Sequence, residues 1–188
     1  MAAGAVRGHA GPVPADDETV PDPRPDTGDE RAQLLGFLAG QRDALRRKCT
    51  GVDAAGLSAA HPPSTLTLGA LLHHAAYTED WWFTVCVGGG EMPPIWQALD
   101  VDADIDAEMT VSSTMTPDAL LARYDEACAR SDAVLAQVPD LGQRARSRSG
   151  PGEPGNVRWV VLHMIEETAR HAGHADLLRE AVDGSTGE

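Results

Sequence analysis

Hydrophobic side chains recur at helical spacing in two segments of the first half of the chain. The first segment begins near Asp29 and repeats apolar residues at Leu34, Leu38 and Leu45. The second segment, TLTLGALLHHAAYTEDWWFTVCVGGG, opens with Thr67 as a helix cap and ends at three consecutive glycines. Each segment is long enough to predict an amphipathic helix.

The second half of the chain contains two further helical patterns. The third helix is predicted to begin at Thr116-Pro117, a cap followed by proline in the first turn, and to end at Pro139. The fourth is predicted to run from Asn156 to Gly184. Because no segment shows sustained strand alternation, the sequence predicts an all-α fold, a four-helix bundle.

Residues 1–28 are rich in Pro, Gly and Asp, and residues of this kind bury too little apolar surface to order themselves. We therefore predict a disordered tail over 1–28 and a bundle domain over 29–188. Two long connections are expected, at 88–115 and at 139–155, the latter a flexible loop. Long loops on a compact bundle often carry function.

The net charge of −14 disfavours binding to nucleic acid, because an acidic surface repels phosphate. No apolar stretch resembles a signal peptide or a membrane span, so a cytoplasmic protein is expected. Cys49, Cys86 and Cys128 lie far apart without metal-ligand spacing. They are expected to be small buried residues rather than nucleophiles.

The fourth predicted helix collects unusual polar side chains on one face. At about 100° per residue, four of them share a face with apolar side chains that need burial. These four are His163, Glu167, His171 and His174. Polar groups carried inside must find partners, and a metal ion between facing helices is one such partner.

Helical spacing limits which of these residues bind one ion together. Side chains at i and i+8 are about 12 Å apart along the axis, so His163 and His171 cannot both bind it. The pairs His163 with Glu167, Glu167 with His171, and His171 with His174 all remain open. For a ligand from the second helix, His74 is placed at the edge of the core, whereas His73 is predicted to point away from it.

One glutamate and two histidines leave coordination positions free, as catalytic zinc sites do. A hydrogen-bonded core without metal is the alternative interpretation of this polar face. Nickel and iron are alternatives to zinc, because this ligand set does not rank them.

Three stretches resemble the DinB-like superfamily of metal-binding four-helix bundles. They are ERAQLLGFLAGQRDAL, LTLGALLHHAAYTEDWW and VRWVVLHMIEETARHAGHADLLREAVDG. The similarity is to the branch of mycothiol-dependent maleylpyruvate isomerase and thiol S-transferases. In that branch a glutamate replaces the first of two last-helix histidines. The resemblance thus implies His74, Glu167 and His171 as the metal ligands.

The resemblance also implies mycothiol as a thiol cosubstrate. A metal-bound thiolate would attack a small electrophile, giving thiol transfer or, if the adduct collapses, isomerisation. His163 and His174 would orient ligands or carry protons in catalysis. Arg144, Arg146 and Arg148 would contact a carboxylate on the substrate or the cofactor.

Two other function classes remain open on the sequence alone. In one, the metal activates water for a hydrolase or lyase reaction. In the other, the bundle is a non-catalytic metal-binding stress protein. The predicted partners are small molecules, with neither nucleic acid nor membrane among them, and the chain is expected to be a monomer or a homodimer.

Overall fold

The computed structural model describes residues 24–99, 103–104, 107–111, 115–147 and 152–186. Residues 1–23 of the predicted disordered tail and Arg148 lie outside these ranges. The five α-helices are α1 Glu30–Cys49, α2 Ala54–Leu57, α3 Leu68–Glu79, α4 Pro117–Ala136 and α5 Val157–Asp183. The described residues contain no β-strand, so the all-α prediction is confirmed.

The helices begin where the sequence places their caps. The side chains of Asp29, Thr67, Thr116 and Asn156 each accept a hydrogen bond from a backbone N–H in the first turn that follows. Such caps satisfy N–H groups that have no partner within the helix. At the other end of α5, Gly184 has a left-handed φ of 77°, the conformation that ends many helices.

The predicted second helix is not uniform. After Glu79, the chain continues as a π-helical segment, Asp80–Val87. Two consecutive carboxylates are buried at this junction. Glu79 binds Arg42 of α1, and Asp80 binds Arg130 of α4. The seam between these helices is therefore held by buried ion pairs as well as by apolar packing.

In the bundle, α1 packs mainly against α5, and α3 packs mainly against α4. The face of α5 that enters the core is centred on small and apolar side chains, among them Val161, Met164, Thr168 and Ala175. Burying a Val or Met side chain contributes roughly 1.5–3 kcal/mol, which fixes the rotation of this helix. His163 and His171 therefore lie at the edge of the core and His174 is exposed, whereas the pattern had indicated that all three face inward.

The 139–155 connection was predicted to be a flexible loop, but its described part is docked. Backbone N–H groups of Val157 and Arg158 donate to the carbonyls of Gln143 and Leu141. The N–H groups of Arg146 and Ser147 both donate to Cys86 O. Residues 141–147 therefore join the π-helical segment to the beginning of α5.

Candidate metal centre

Three side chains from two helices converge at the edge of the core. His74 Nε2 of α3 lies 3.3 Å from Glu167 Oε1 of α5, and His171 Nε2 lies 3.0 Å from the same oxygen. One ligand atom from each of the three residues lies within 4.8 Å of the others. Of the pairings left open by the sequence, the structure thus brings together Glu167 and His171, with His74 opposite them.

The trio is shielded but not closed off. The side chains of His74, Glu167 and His171 are 15%, 16% and 13% exposed. Hydrogen bonds from His171 and His74 hold the pKa of the Glu167 carboxyl well below its usual value, although burial acts in the opposite direction. Arg170 binds the second oxygen, Oε2, at 2.9 Å, so Oε1 alone faces the two imidazoles.

The two distances that join the imidazoles to Glu167 Oε1 fit a divalent ion. Zinc binds nitrogen and oxygen at about 2.0–2.2 Å, which places neighbouring donors roughly 2.8–3.6 Å apart in octahedral or tetrahedral geometry. The two distances to Glu167 Oε1 fall within that range. Two imidazoles and one carboxylate are also a donor set that zinc, nickel and iron accept.

Both ring nitrogens of His74 face carboxylate oxygens. His74 lies between two carboxylates, with Nδ1 3.3 Å from Glu108 Oε1 and Nε2 3.3 Å from Glu167 Oε1. An imidazolium can donate to both carboxylates, which would be the arrangement of a hydrogen-bonded cluster without metal. A neutral imidazole carries one proton, so one of its nitrogens would direct a lone pair at a carboxylate oxygen. A cation beside Nε2 removes this repulsion and leaves the proton on Nδ1.

Glu108 was not among the residues identified in the sequence. It lies in the short 3-10 turn Ala107–Met109, within the long connection between α3 and α4, and its side chain is 13% exposed. Its Oε2 is buried and has no hydrogen-bond partner among the described residues. No periodic pattern marks this turn, because its position depends on the tertiary course of the connection.

The prediction that His73 points away from the core was wrong. Its side chain is buried, and it contacts the same turn, with Nδ1 2.6 Å from Glu108 O and Nε2 2.8 Å from Arg123 Nη1. Burial lowers the pKa of His73. The prediction rested on the apolar stripe of this helix alone. It took no account of the turn and the α4 side chain that cover the other face of α3.

The other two histidines of α5 lie outside the trio. His163 stacks on Trp159 with ring centres 5.2 Å apart and meets the edge of Trp82 at 4.7 Å. His174 is exposed, with its ring centre 5.8 Å from that of His171, so the expectation that it faces inward was wrong. Among the described residues neither side chain is hydrogen-bonded to a member of the trio.

A cavity of about 240 Å³ lies beside the aromatic cluster, with its wall formed in part by Trp82, Ser147, Glu153 and Trp159. Trp159 precedes Glu167 by eight residues on α5, which corresponds to about 12 Å along the helix. Trp159 is 52% exposed, although large apolar residues are usually more covered. This part of the surface is therefore suited to an apolar or planar ligand group.

Two of the three arginines predicted to bind an acidic group, Arg144 and Arg146, lie at the same end of α5 as this cavity. Arg144 pairs with Asn156 in an isolated β-bridge and forms an exposed ion pair with Glu153 at 3.2 Å. Arg146 is exposed beside Gly89. Asn156 precedes Glu167 by eleven residues, or about 16 Å along the helix, so these arginines are distant from the trio.

The three cysteines are free thiols held in a low-reactivity state. Burial raises the pKa of Cys49 to about 12, and burial is also the main cause of the raised pKa values of Cys86 and Cys128. A thiol reacts as the thiolate, so a raised pKa opposes a nucleophilic role. The chain's own cysteines are therefore poorly suited to act as nucleophiles.

Fold and trio together define a class: helical bundles with a carboxylate and two imidazoles placed between facing helices. The sequence pattern of the mycothiol-S-transferase family matches residues 33–184. The chain belongs to that family, which confirms the resemblance found in the sequence.

A solved structure gives independent evidence on the fold. The crystal structure of a conserved protein from Enterococcus faecalis superimposes with a TM-score of 0.64 at 16% sequence identity. The match covers 85% of this chain and 100% of the other. At this identity the likeness shows the fold alone.

A comparison with curated proteins finds no match. Among the described residues, no helix has the length and apolar character needed to cross a membrane.

Proposed function

We propose that this chain is a metal-dependent thiol transferase that uses mycothiol as its cosubstrate. The observation that carries the proposal is the convergence of His74, Glu167 and His171 in a member of the mycothiol-S-transferase family. The trio would hold one divalent ion, with zinc first among the candidates. The bound ion would supply Lewis acidity, which lowers the pKa of a coordinated thiol.

The protein side chains prepare this chemistry in three ways. Arg170 fixes one oxygen of Glu167, which leaves the other aimed at the imidazoles. Partial burial of the trio strengthens each electrostatic interaction there by excluding water. Three protein ligands leave a position for an outside donor, as in catalytic zinc sites.

Thiol transfer then follows from ordinary nucleophilic chemistry. The thiol of mycothiol loses its proton to solvent, and its sulfur forms a bond to an electrophilic carbon of the substrate. The electron pair of the broken bond leaves with the departing group or moves onto the substrate, where it is protonated. We further propose that the cavity beside Trp82 and Trp159 receives an apolar part of that substrate.

A combined metal and thiol-binding experiment tests the proposal. Divalent metal would be quantified in the wild type, in His171→Ala and in His61→Ala, an exposed histidine on the α2–α3 connection that serves as the matched control. Mycothiol would then be titrated into each protein by calorimetry, with and without zinc. We expect about one zinc per chain in the wild type and the control, loss of zinc in His171→Ala, and thiol binding only where zinc is present.

Each contrary result would point to a different function. Zinc binding without thiol binding would contradict the transferase proposal and favour hydrolysis or a non-catalytic role. Failure of the wild type to bind zinc, nickel or iron after reconstitution would show that the trio is a structural hydrogen-bond cluster.

A further inference from the structure

We propose that Glu108 is a positioning residue that sets the proton position and the ring orientation of His74 for metal binding. The inference rests on the proposed metal-binding role of the trio. It concerns a residue from the long connection between α3 and α4, 34 positions along the chain from His74. The argument comes from the contacts that two adjacent histidines of α3 make with this one glutamate.

The first histidine fixes the backbone of Glu108. Arg123 donates to His73 Nε2 at 2.8 Å, because a guanidinium has no acceptor. The proton of His73 therefore lies on Nδ1, which donates to Glu108 O at 2.6 Å. Arg123 itself lies over the Trp96 ring, 5.3 Å from its centre. The turn that carries Glu108 is thus attached to α3 through His73, and Arg123 of α4 holds the other edge of the same imidazole, both through partly buried contacts.

The side chain of Glu108 contacts the second histidine, His74. A carboxylate only accepts hydrogen bonds, so its Oε1 at 3.3 Å favours a proton on His74 Nδ1. When a cation takes the place of the hydrogen bond between His74 and Glu167, the lone pair lies on Nε2, the atom that faces Glu167 Oε1. Both side chains are largely buried, at 15% exposure for His74 and 13% for Glu108, and low polarity strengthens the bond.

The geometry assigns Glu108 to the support of a metal ligand, His74, and not to direct binding of the ion. The cluster of mutually close donor atoms contains His74, Glu167 and His171 but not Glu108. Glu108 instead contacts the opposite edge of the His74 ring, at Nδ1. A carboxylate in this arrangement raises the basicity of the ligating nitrogen and prevents ring rotation, and its loss typically weakens metal binding about 10–100-fold.

The test measures zinc affinity directly, without relying on turnover. Dissociation constants would be obtained by competition with a chromophoric chelator for the wild type, Glu108→Gln and Glu108→Ala. Glu91→Ala is the matched control, because Glu91 is exposed in the same connection. Thermal unfolding of the zinc-free proteins would show whether each variant folds, and cobalt absorption spectra would report ligand geometry.

We expect Glu108→Ala to bind zinc about 10–100-fold more weakly. Glu108→Gln keeps an oxygen that accepts from Nδ1–H, so we expect it to fall between Glu108→Ala and the wild type. Should the alanine variant not fold, Glu108→Gln alone decides, with a loss beyond that of the control expected.

Two results would overturn the inference. One is zinc affinity in the Glu108 variants within twofold of the wild type, and the other is an equal loss in Glu91→Ala. If the wild type and the Glu108 variants bind zinc tightly and equally, the proposed function survives while this inference fails. If the wild type binds no zinc, both fail.

Discussion

The buried pair between Arg42 and Glu79 allows a quantitative prediction on stability. Arg42 Nε and Nη2 donate to the two oxygens of Glu79 at 2.8 and 2.6 Å. Arg42 is 8% exposed and Glu79 is 1% exposed. Arg42 has a second partner, Asp132 at 2.7 Å, but the Asp132 side chain is 67% exposed. The same guanidinium thus has one buried and one solvated carboxylate.

We expect Glu79→Ala to lower the free energy of unfolding by about 3–5 kcal/mol, because it leaves a buried guanidinium without its main counter-charge. For a chain of this size that corresponds to a fall in Tm of roughly 6–20 °C. Asp132→Ala removes a charge of the same sign from the same arginine. We expect it to cost below about 1 kcal/mol, because water screens the exposed pair.

Urea unfolding followed by far-ultraviolet circular dichroism would measure both variants, with a chelator present so that metal binding does not contribute. In a double variant, Arg42→Met with Glu79→Leu, no charge is left buried, so we expect higher stability than in Glu79→Ala. Equal losses for Glu79→Ala and Asp132→Ala would refute the reasoning, as would a double variant less stable than Glu79→Ala.

Three further predictions concern the thiols, a helix cap and the cavity. With the pKa of Cys49 raised to about 12, native protein at pH 8 should react far more slowly with a disulfide reagent than urea-unfolded protein; equal rates would contradict this. The thiol of unfolded Cys49 ionises near pH 8.5, so its contribution to the free energy of unfolding should be present below that pH and be lost as the pH rises towards 12. Urea midpoints should fall over the same pH range. Asn156→Ala should cost about 1 kcal/mol in urea unfolding and Asn156→Ser much less, since serine caps equally well; similar losses would argue against the cap. Trp159→Ala should raise KM for apolar electrophiles while leaving zinc affinity unchanged, and unaltered kinetics would exclude the cavity as a substrate site.

The local features of the fold were predictable from the sequence. Asp29, Thr67, Thr116 and Asn156 are caps whose effect depends on the next few residues alone, and all four begin helices as predicted. The helical spacing of α5 likewise kept Glu167 with His171 among three possible pairs, from which the family resemblance selected it. These inferences succeed because helix periodicity and capping are short-range properties.

Features that depend on tertiary structure were missed. His73 was placed towards solvent because no short-range signal shows that the 107–109 turn and Arg123 cover it. Glu108 lacked any signal for the same reason. The π-helical segment begins between two neighbouring carboxylates, Glu79 and Asp80, whose arginine partners lie on other helices. Such partners become apparent only when the course of the whole chain is known.

The placement of the trio has a consequence for how firmly the two helix pairs of the bundle are held together. His74 belongs to the α3–α4 pair of helices and Glu167 to the α1–α5 pair, and they are 93 residues apart in the chain. A cation between them would therefore act as a cross-link between the two helix pairs, one that forms only after both have docked. Amide hydrogen exchange at the facing turns of α3 and α5 should then slow on metal addition, while exchange within each pair changes less.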